Sequence, residues 1–256
     1  MNIDGAAGDS TFTTAYSLDY GDEAVVRSKQ SRFGLPPGLR LIWNGSADPG
    51  AETRSRWECV CGALGVGFNG ATGGVLPYQM GKSFELQWLY VLGAQYKLNK
   101  ASNLTIGVGI DWRNWRYTRG DMCIVPADGG TVAIGHYEEG AHSYGSRIKI
   151  FSLTVPLLYQ VKLPVKVPNG HAALALGPIL NINTHGSVKT WWTDPAGNEK
   201  SVSSVNIGQR FVTVDFLAAL KFCGWASVYF KYSPQTLLDA PGPKFRGYST
   251  GIMCSF

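Results

Sequence analysis

His185 and Ser187 stand two residues apart, with Glu199 downstream. An imidazole oriented by a carboxylate can take the proton of a serine hydroxyl and turn it into a nucleophile for acyl transfer. A second group, His136, Glu138, Glu139 and His142, offers two imidazoles and two carboxylates, donor types that can hold a divalent ion. Both patterns are short, and polar residues in a solvent-facing loop read the same way. No P-loop and no H-E-x-x-H motif occurs. The reading adopted is non-enzymatic, with no catalytic residue, no metal and no cofactor. Hydrolysis by His185 and Ser187 is the alternative.

The elements that would position such residues show a two-residue period. Leu104, Ile106, Val108, Ile110 and Trp112 alternate with Thr105, Gly107, Gly109, Asp111 and Arg113. That period belongs to a strand with one greasy face. Segment 84–97 sets Phe84, Leu86, Trp88, Tyr90, Leu92, Ala94 and Tyr96 against Glu85, Gln87, Gly93 and Gln95, with Leu89 and Val91 as exceptions. The same pattern recurs over 57–68, 147–163, 171–183, 210–222, 225–232 and 248–256, so eight strands are expected. Ten follow if residues 1–56 contribute two.

The connections alternate in length. Those over 69–83, 118–146, 184–209 and 233–247 are long, and those over 98–103, 164–170 and 223–224 are short. In an up-and-down meander all long loops then share one rim and all tight turns the other. Transmembrane β-barrels are built this way. A sheet in lipid must close on itself to pair its edges, so the last strand must meet the first. An even strand count puts both ends of the barrel on the short-turn side, expected to be periplasmic.

Composition agrees. Of 256 residues 45% are hydrophobic and 16% charged, with 32 Gly and 8 Trp. That excludes disorder, and Gly without a G-X-Y period excludes collagen. No apolar run is long enough for a membrane helix. The net charge of +5 is not gathered into Lys/Arg runs, so no nucleic-acid partner is expected. Cys59, Cys61, Cys123, Cys223 and Cys254 are odd in number and read as free thiols. Asn2-Ile3-Asp4-Gly5 is not a secretory leader, and the expectation is that a leader has been removed. Residues 1–56, with Gly34-Leu35-Pro36-Pro37-Gly38, read as a periplasmic extension that could plug or cap the barrel of 57–256.

Three stretches, Gly62–Phe68, the 92–112 hairpin and Tyr248–Phe256, resemble the small outer-membrane β-barrel proteins of Gram-negative bacteria, of the kind abundant in Bacteroidetes. The resemblance implies an outer-membrane protein in contact with lipid and lipopolysaccharide. It implies that Tyr248, Ile252 and the terminal Phe256 resemble the signal read by the outer-membrane assembly machinery. The His-x-Ser spacing of His185 and Ser187 is similar to that of lipid A deacylases, some small barrels being lipid-modifying enzymes.

Within such a barrel Glu85, Gln87, Asp111, Arg113, Lys149, Asp215 and Lys221 are expected to form a mutually neutralising lumen network. Eight strands enclose a space that side chains can fill. Function is then expected in the loops 118–146 and 184–209, where Tyr137, Tyr144, Trp191 and Trp192 are candidates for binding a partner or packing together. The role expected is that of a surface or scaffold protein, or of a small subunit in a complex with other envelope proteins. The alternatives are a narrow pore and a soluble lipocalin-like barrel with an apolar lumen.

Overall fold

A computed structural model describes residues 3–7, 10–14, 56–73, 79–117, 121–168, 170–205, 207–239 and 242–254. The chain divides into two units, residues 1–39 and 40–256. In the first, β1 (Ile3–Ala7) and β2 (Ser10–Thr14) form an antiparallel hairpin. Most of the extension predicted over 1–56 lies outside the described residues.

The second unit carries β3 (Trp57–Thr72), β4 (Phe84–Lys97), β5 (Ser102–Tyr117), β6 (Met122–Ala127), β7 (Thr131–His136), β8 (His142–Val167), β9 (Gly170–Thr193), β10 (Glu199–Val205), β11 (Val212–Lys221), β12 (Ala226–Tyr232) and β13 (Arg246–Cys254). Strands β3, β4, β5, β8, β9, β11, β12 and β13 pair antiparallel in that order, and β13 pairs back onto β3. The result is a closed eight-stranded up-and-down barrel. The hairpin β1–β2 forms a separate two-stranded sheet, so the ten-strand option is not realised among the described residues.

Every predicted strand is present, but β8 and β9 run far past their predicted ends, to 26 and 24 residues. Much of the two expected long loops is therefore β-structure. The segment 184–193 continues β9, and β10 pairs with it; the segment after β5 holds the hairpin β6–β7. Alternation continues there because the inner face packs on the β6–β7 hairpin while the outer face stays polar. The turn between β4 and β5 is set by Asn99, whose side-chain oxygen accepts from the Ala101 and Ser102 amides, both at 2.8 Å.

Two irregularities shift the alternation. β4 sets extra residues opposite Gly109, between the Trp88–Ile110 and Leu92–Val108 pairs. The bulge turns both Leu89 and Tyr90 inward, where they are 1% and 7% exposed. This corrects the expected lipid-side position of Tyr90, which lies over Gly107 and Gly93, and explains why Leu89 broke the pattern. In β3 a register shift at Val60/Gly62 is accommodated by Gly62 and Ala63, both at positive φ.

The outer wall is greasy on every strand. Val66, Leu92, Val108, Leu153, Leu176, Phe216, Val228 and Ile252 all stand exposed on it. The hydroxyls of Thr105, Thr154 and Thr213 and the amide of Asn181 turn inward and are buried. Among the described residues no helix is long and apolar enough to cross a membrane, which says nothing of a chain that crosses with strands.

Candidate functional site: the lumen and the long-loop rim

The lumen is layered. Nearest the short turns, Leu89, Tyr90, Leu158, Ile179, Leu217 and Met253 belong to one apolar cluster. Beside it is a cavity of about 280 Å³, whose lining includes Gln95, Thr105, Gln160 and Lys221. At the other end the hairpin β6–β7 docks on the β8–β9 extension. Ile124 donates its amide to Ser146 Oγ (3.2 Å), and its carbonyl accepts from the Thr190 hydroxyl. Ile124 and Val132 thereby join Trp115, Tyr117, Ile148, Ile150, Val188 and Phe245 in a second buried cluster.

Between the two lies the charged layer. Lys231 Nζ is 2.7 Å from Asp111 Oδ2 and also pairs with Glu85. Arg113 stands 3.3 Å from Asp111 and 3.2 Å from Asp215. The Tyr229 hydroxyl donates to Glu85 (3.3 Å), and the Ser233 hydroxyl donates to Asp215 (2.5 Å). Gln87 accepts from Lys231 at 3.4 Å. All of these ionisable groups are at most 3% exposed. Buried charge is tolerated only when paired and hydrogen-bonded, and every charge here faces an opposite one.

Of the seven lumen residues named from sequence, Glu85, Gln87, Asp111, Arg113 and Asp215 meet in this layer, and Lys221 lines the cavity below it. Lys149 does not join them. It pairs with Asn114 and shares the outward parity of Phe151 and Leu153, and its ammonium lies 5.4 Å from the exposed Trp112 ring. Its charge suggests the lumen; its position in the strand alternation places it outside. Lys231 is the cation missed by sequence reasoning. The signal was available: it shares the inward parity of Ser227 and Tyr229.

The four loop aromatics separate into two sites. Tyr137 meets both Tyr144 and Trp192 in tilted ring contacts, with centroids 4.6 Å and 6.3 Å away. Burial raises the Tyr137 hydroxyl above the ordinary tyrosine range. Trp191 points the opposite way and lies across Gly145 on the outer wall, with the guanidinium groups of Arg116 (4.8 Å) and Arg147 (5.8 Å) over its ring.

His185 and Ser187 lie on β9 beyond a register shift, both on the outer wall, opposite Phe151 and Lys149. Glu199 registers with Thr193, eight residues further along, so about 26 Å of strand separates it from His185. Glu199 therefore does not orient this imidazole. His136 meets Asp121 at 2.8 Å, and Glu138 faces Lys200 at 3.3 Å. Among the described residues no three His, Cys, Asp or Glu side chains converge as metal ligands. The five cysteines are free. Two further glycine patterns, Gly65-x-Gly67-x-x-Gly70 and Gly247-x-Ser249-x-Gly251, lie within β3 and β13 and pair with each other. In extended strands they form neither a phosphate loop nor a nucleophile elbow. Tyr248 and Ile252 lie on β13; Phe256 lies outside the described residues.

Fold and lumen together define a closed, eight-stranded antiparallel barrel with a charged, side-chain-filled interior and an apolar exterior. No family model matches the chain, and no curated protein does. Among solved structures it is similar to the crystal structure of Ail, the attachment invasion locus protein of Yersinia pestis, in complex with the heparin analogue sucrose octasulfate. The identity is 16%, the coverage 77% of this chain and 98% of that one, and the TM-score 0.36.

Proposed function

We propose that this chain is an integral outer-membrane β-barrel whose lumen is sealed, and that it acts as a non-enzymatic surface or scaffold protein. The observation that carries the reading is the inversion of the barrel. Leu104, Ile106 and Val108 are 36%, 46% and 51% exposed, whereas Asp111 and Arg113 are 1% and 2% exposed. A lipocalin-like barrel needs the reverse. A water-soluble protein rarely exposes contiguous apolar patches beyond a few hundred Å². Here the apolar surface encircles all eight strands.

The dimensions suit a bilayer. Aromatic residues Tyr96 and Tyr159 share a row with Leu104, and Trp112 lies eight residues along β5. At the usual rise and tilt the two rows are about 20 Å apart along the barrel axis, close to the apolar band of such barrels. The short-turn rim, where β3 begins and β13 ends, would face the periplasm, and the rim carrying β6, β7 and β10 the exterior. Ile124 and its neighbours fill the exterior mouth, which supports a frame rather than a pore. The exposed outer face of β10 is where a protein or glycan partner would dock. Outward-facing Ile252 and Tyr248 on the last barrel strand fit recognition by the assembly machinery.

Reconstitution into liposomes tests this reading. The barrel should resist carbonate extraction, migrate faster on a gel when unheated, and give no stepwise conductance in planar bilayers. Release without detergent would contradict insertion, and regular conductance steps would contradict the sealed lumen.

A further inference from the structure

We infer that Arg116, Arg147, Lys149 and Lys189 form a binding site on the outer wall for the phosphate groups of a lipid headgroup. The inference rests on the membrane reading above. The four residues are scattered in sequence, but the register gathers them. Arg116 pairs with Arg147, and Arg147 pairs with Lys189, so three cations stand side by side on β5, β8 and β9. Lys149 lies one row below Arg147, between Asn114 and Ser187. Neighbouring strands are about 4.8 Å apart, so the row places three positive charges within roughly 10 Å.

All four point outward. Ile148, Ile150, Val188 and Thr190, which alternate with them, are buried inside. Among the described residues none of the four has a carboxylate within 4.0 Å, although buried cations elsewhere in this barrel are paired. Like charges directly opposite on adjacent strands destabilise a sheet. An anion seated between them removes that repulsion. Ser187, beside Lys149, adds a hydroxyl donor. Trp191 and Trp112 frame the patch above and below, and Gly145 leaves room for the Trp191 ring to lie flat on the wall.

Height selects a lipid over a soluble anion. Arg116 is four residues beyond Trp112, the upper aromatic row of the apolar belt. At the usual rise and tilt this sets the cations about 5–10 Å above the hydrocarbon boundary. Headgroup phosphates lie at that depth, and the acyl chains of the same molecule would run down over Phe151 and Leu153. Arginine offers a planar fork for phosphate oxygens, and lysine a compact charge.

The test uses the full chain in nanodiscs of phosphatidylcholine doped with bis-phosphorylated lipid A, with native mass spectrometry counting retained lipid A. The variant is Arg147→Gln/Lys149→Gln/Lys189→Gln. The control, Lys100→Gln/Lys162→Gln/Lys166→Gln, removes the same charge from the opposite rim. One basic residue near a charged membrane surface is worth roughly a fivefold change in binding, so the variant should lose on the order of a hundredfold in lipid A retention. The control should stay within twofold, and retention by the wild type should fall at high salt. Equal retention by variant and wild type overturns the site. So does equal affinity of detergent-held protein for inorganic phosphate or a sulfated sugar, because the ligand would then be a soluble anion. A chain that fails to float with vesicles overturns the membrane reading itself, and is seen before any lipid is counted.

Discussion

Lys231 Nζ sits 2.7 Å from Asp111 Oδ2 across the lumen, joining β12 to β5, which are not neighbours in the sheet. The same ammonium pairs with Glu85 of β4, so one side chain ties three strands together through the interior. Backbone pairing closes the barrel; this cation bridges its interior.

Lys231→Met should therefore leave buried Glu85 without a cation and Asp111 with Arg113 alone, and destabilise the barrel by about 3–5 kcal/mol. The measurement is urea unfolding in micelles. Lys231→Met with Glu85→Gln and Asp111→Asn should recover much of the loss, because removing the charges together removes the unpaired ones. A triple variant no better than the single one would show that packing, not charge pairing, dominates there.

A charge placed on the belt should cost according to depth. Val108→Arg, midway between the Leu104 and Trp112 rows, should destabilise by about 2–4 kcal/mol in a bilayer. Val205→Arg, exposed on β10 beyond the barrel, should change stability by less than about 0.5 kcal/mol. Equal costs would contradict the placement of the hydrocarbon boundary.

The β9–β10 hairpin should be acid-sensitive in a defined direction. The Asn198 amide and side chain hold the Asp194 carboxyl below its ordinary range, and Lys200 lies 3.5 Å away. A depressed acid stabilises the fold above its unfolded pKa, about 3.9, and loses that contribution as pH falls through the lower folded value. Protease resistance of this hairpin should be constant from neutral pH to about pH 5 and decline below about pH 4. Asp194→Asn should be weaker at neutral pH and should lack the acid-side decline. An identical profile in both proteins would assign the sensitivity elsewhere.

Gly145→Val should lift Trp191 off the wall, since a side chain at Gly145 would meet the ring at 2.4 Å. The indole then loses its contacts with the Arg116 and Arg147 guanidinium groups, and its emission should shift while the barrel stays folded. An unshifted spectrum would place the ring elsewhere.

The strands were legible because a barrel with oil outside and polar groups inside writes its two faces as a two-residue period. That period places Glu85, Asp111 and Arg113 in the lumen without any knowledge of their partners. It fails where the backbone slips. The bulge opposite Gly109 sends Tyr90 inward, and no sequence period announces it. It also fails where residue type is allowed to outrank position, as with Lys149, whose charge suggests the lumen while its parity puts it outside. The cationic patch was invisible for another reason. Residues 116, 147, 149 and 189 become neighbours only through the register of three strands, which depends on turn geometry and bulges. The β6–β7 hairpin reads as loop in the sequence because its runs are short and broken by Pro126 and Gly135.

The central claim is the inversion of the barrel, and contacts between protein methyl groups and lipid report on it most directly. With Ile, Leu and Val methyls labelled in nanodiscs, nuclear Overhauser transfer from lipid acyl chains should reach Val66, Val108, Leu153 and Ile252. It should not reach Ile148 or Ile150, which are buried in the lumen. Transfer from bulk water to Val108 and Ile252, with none from acyl chains, would contradict the account.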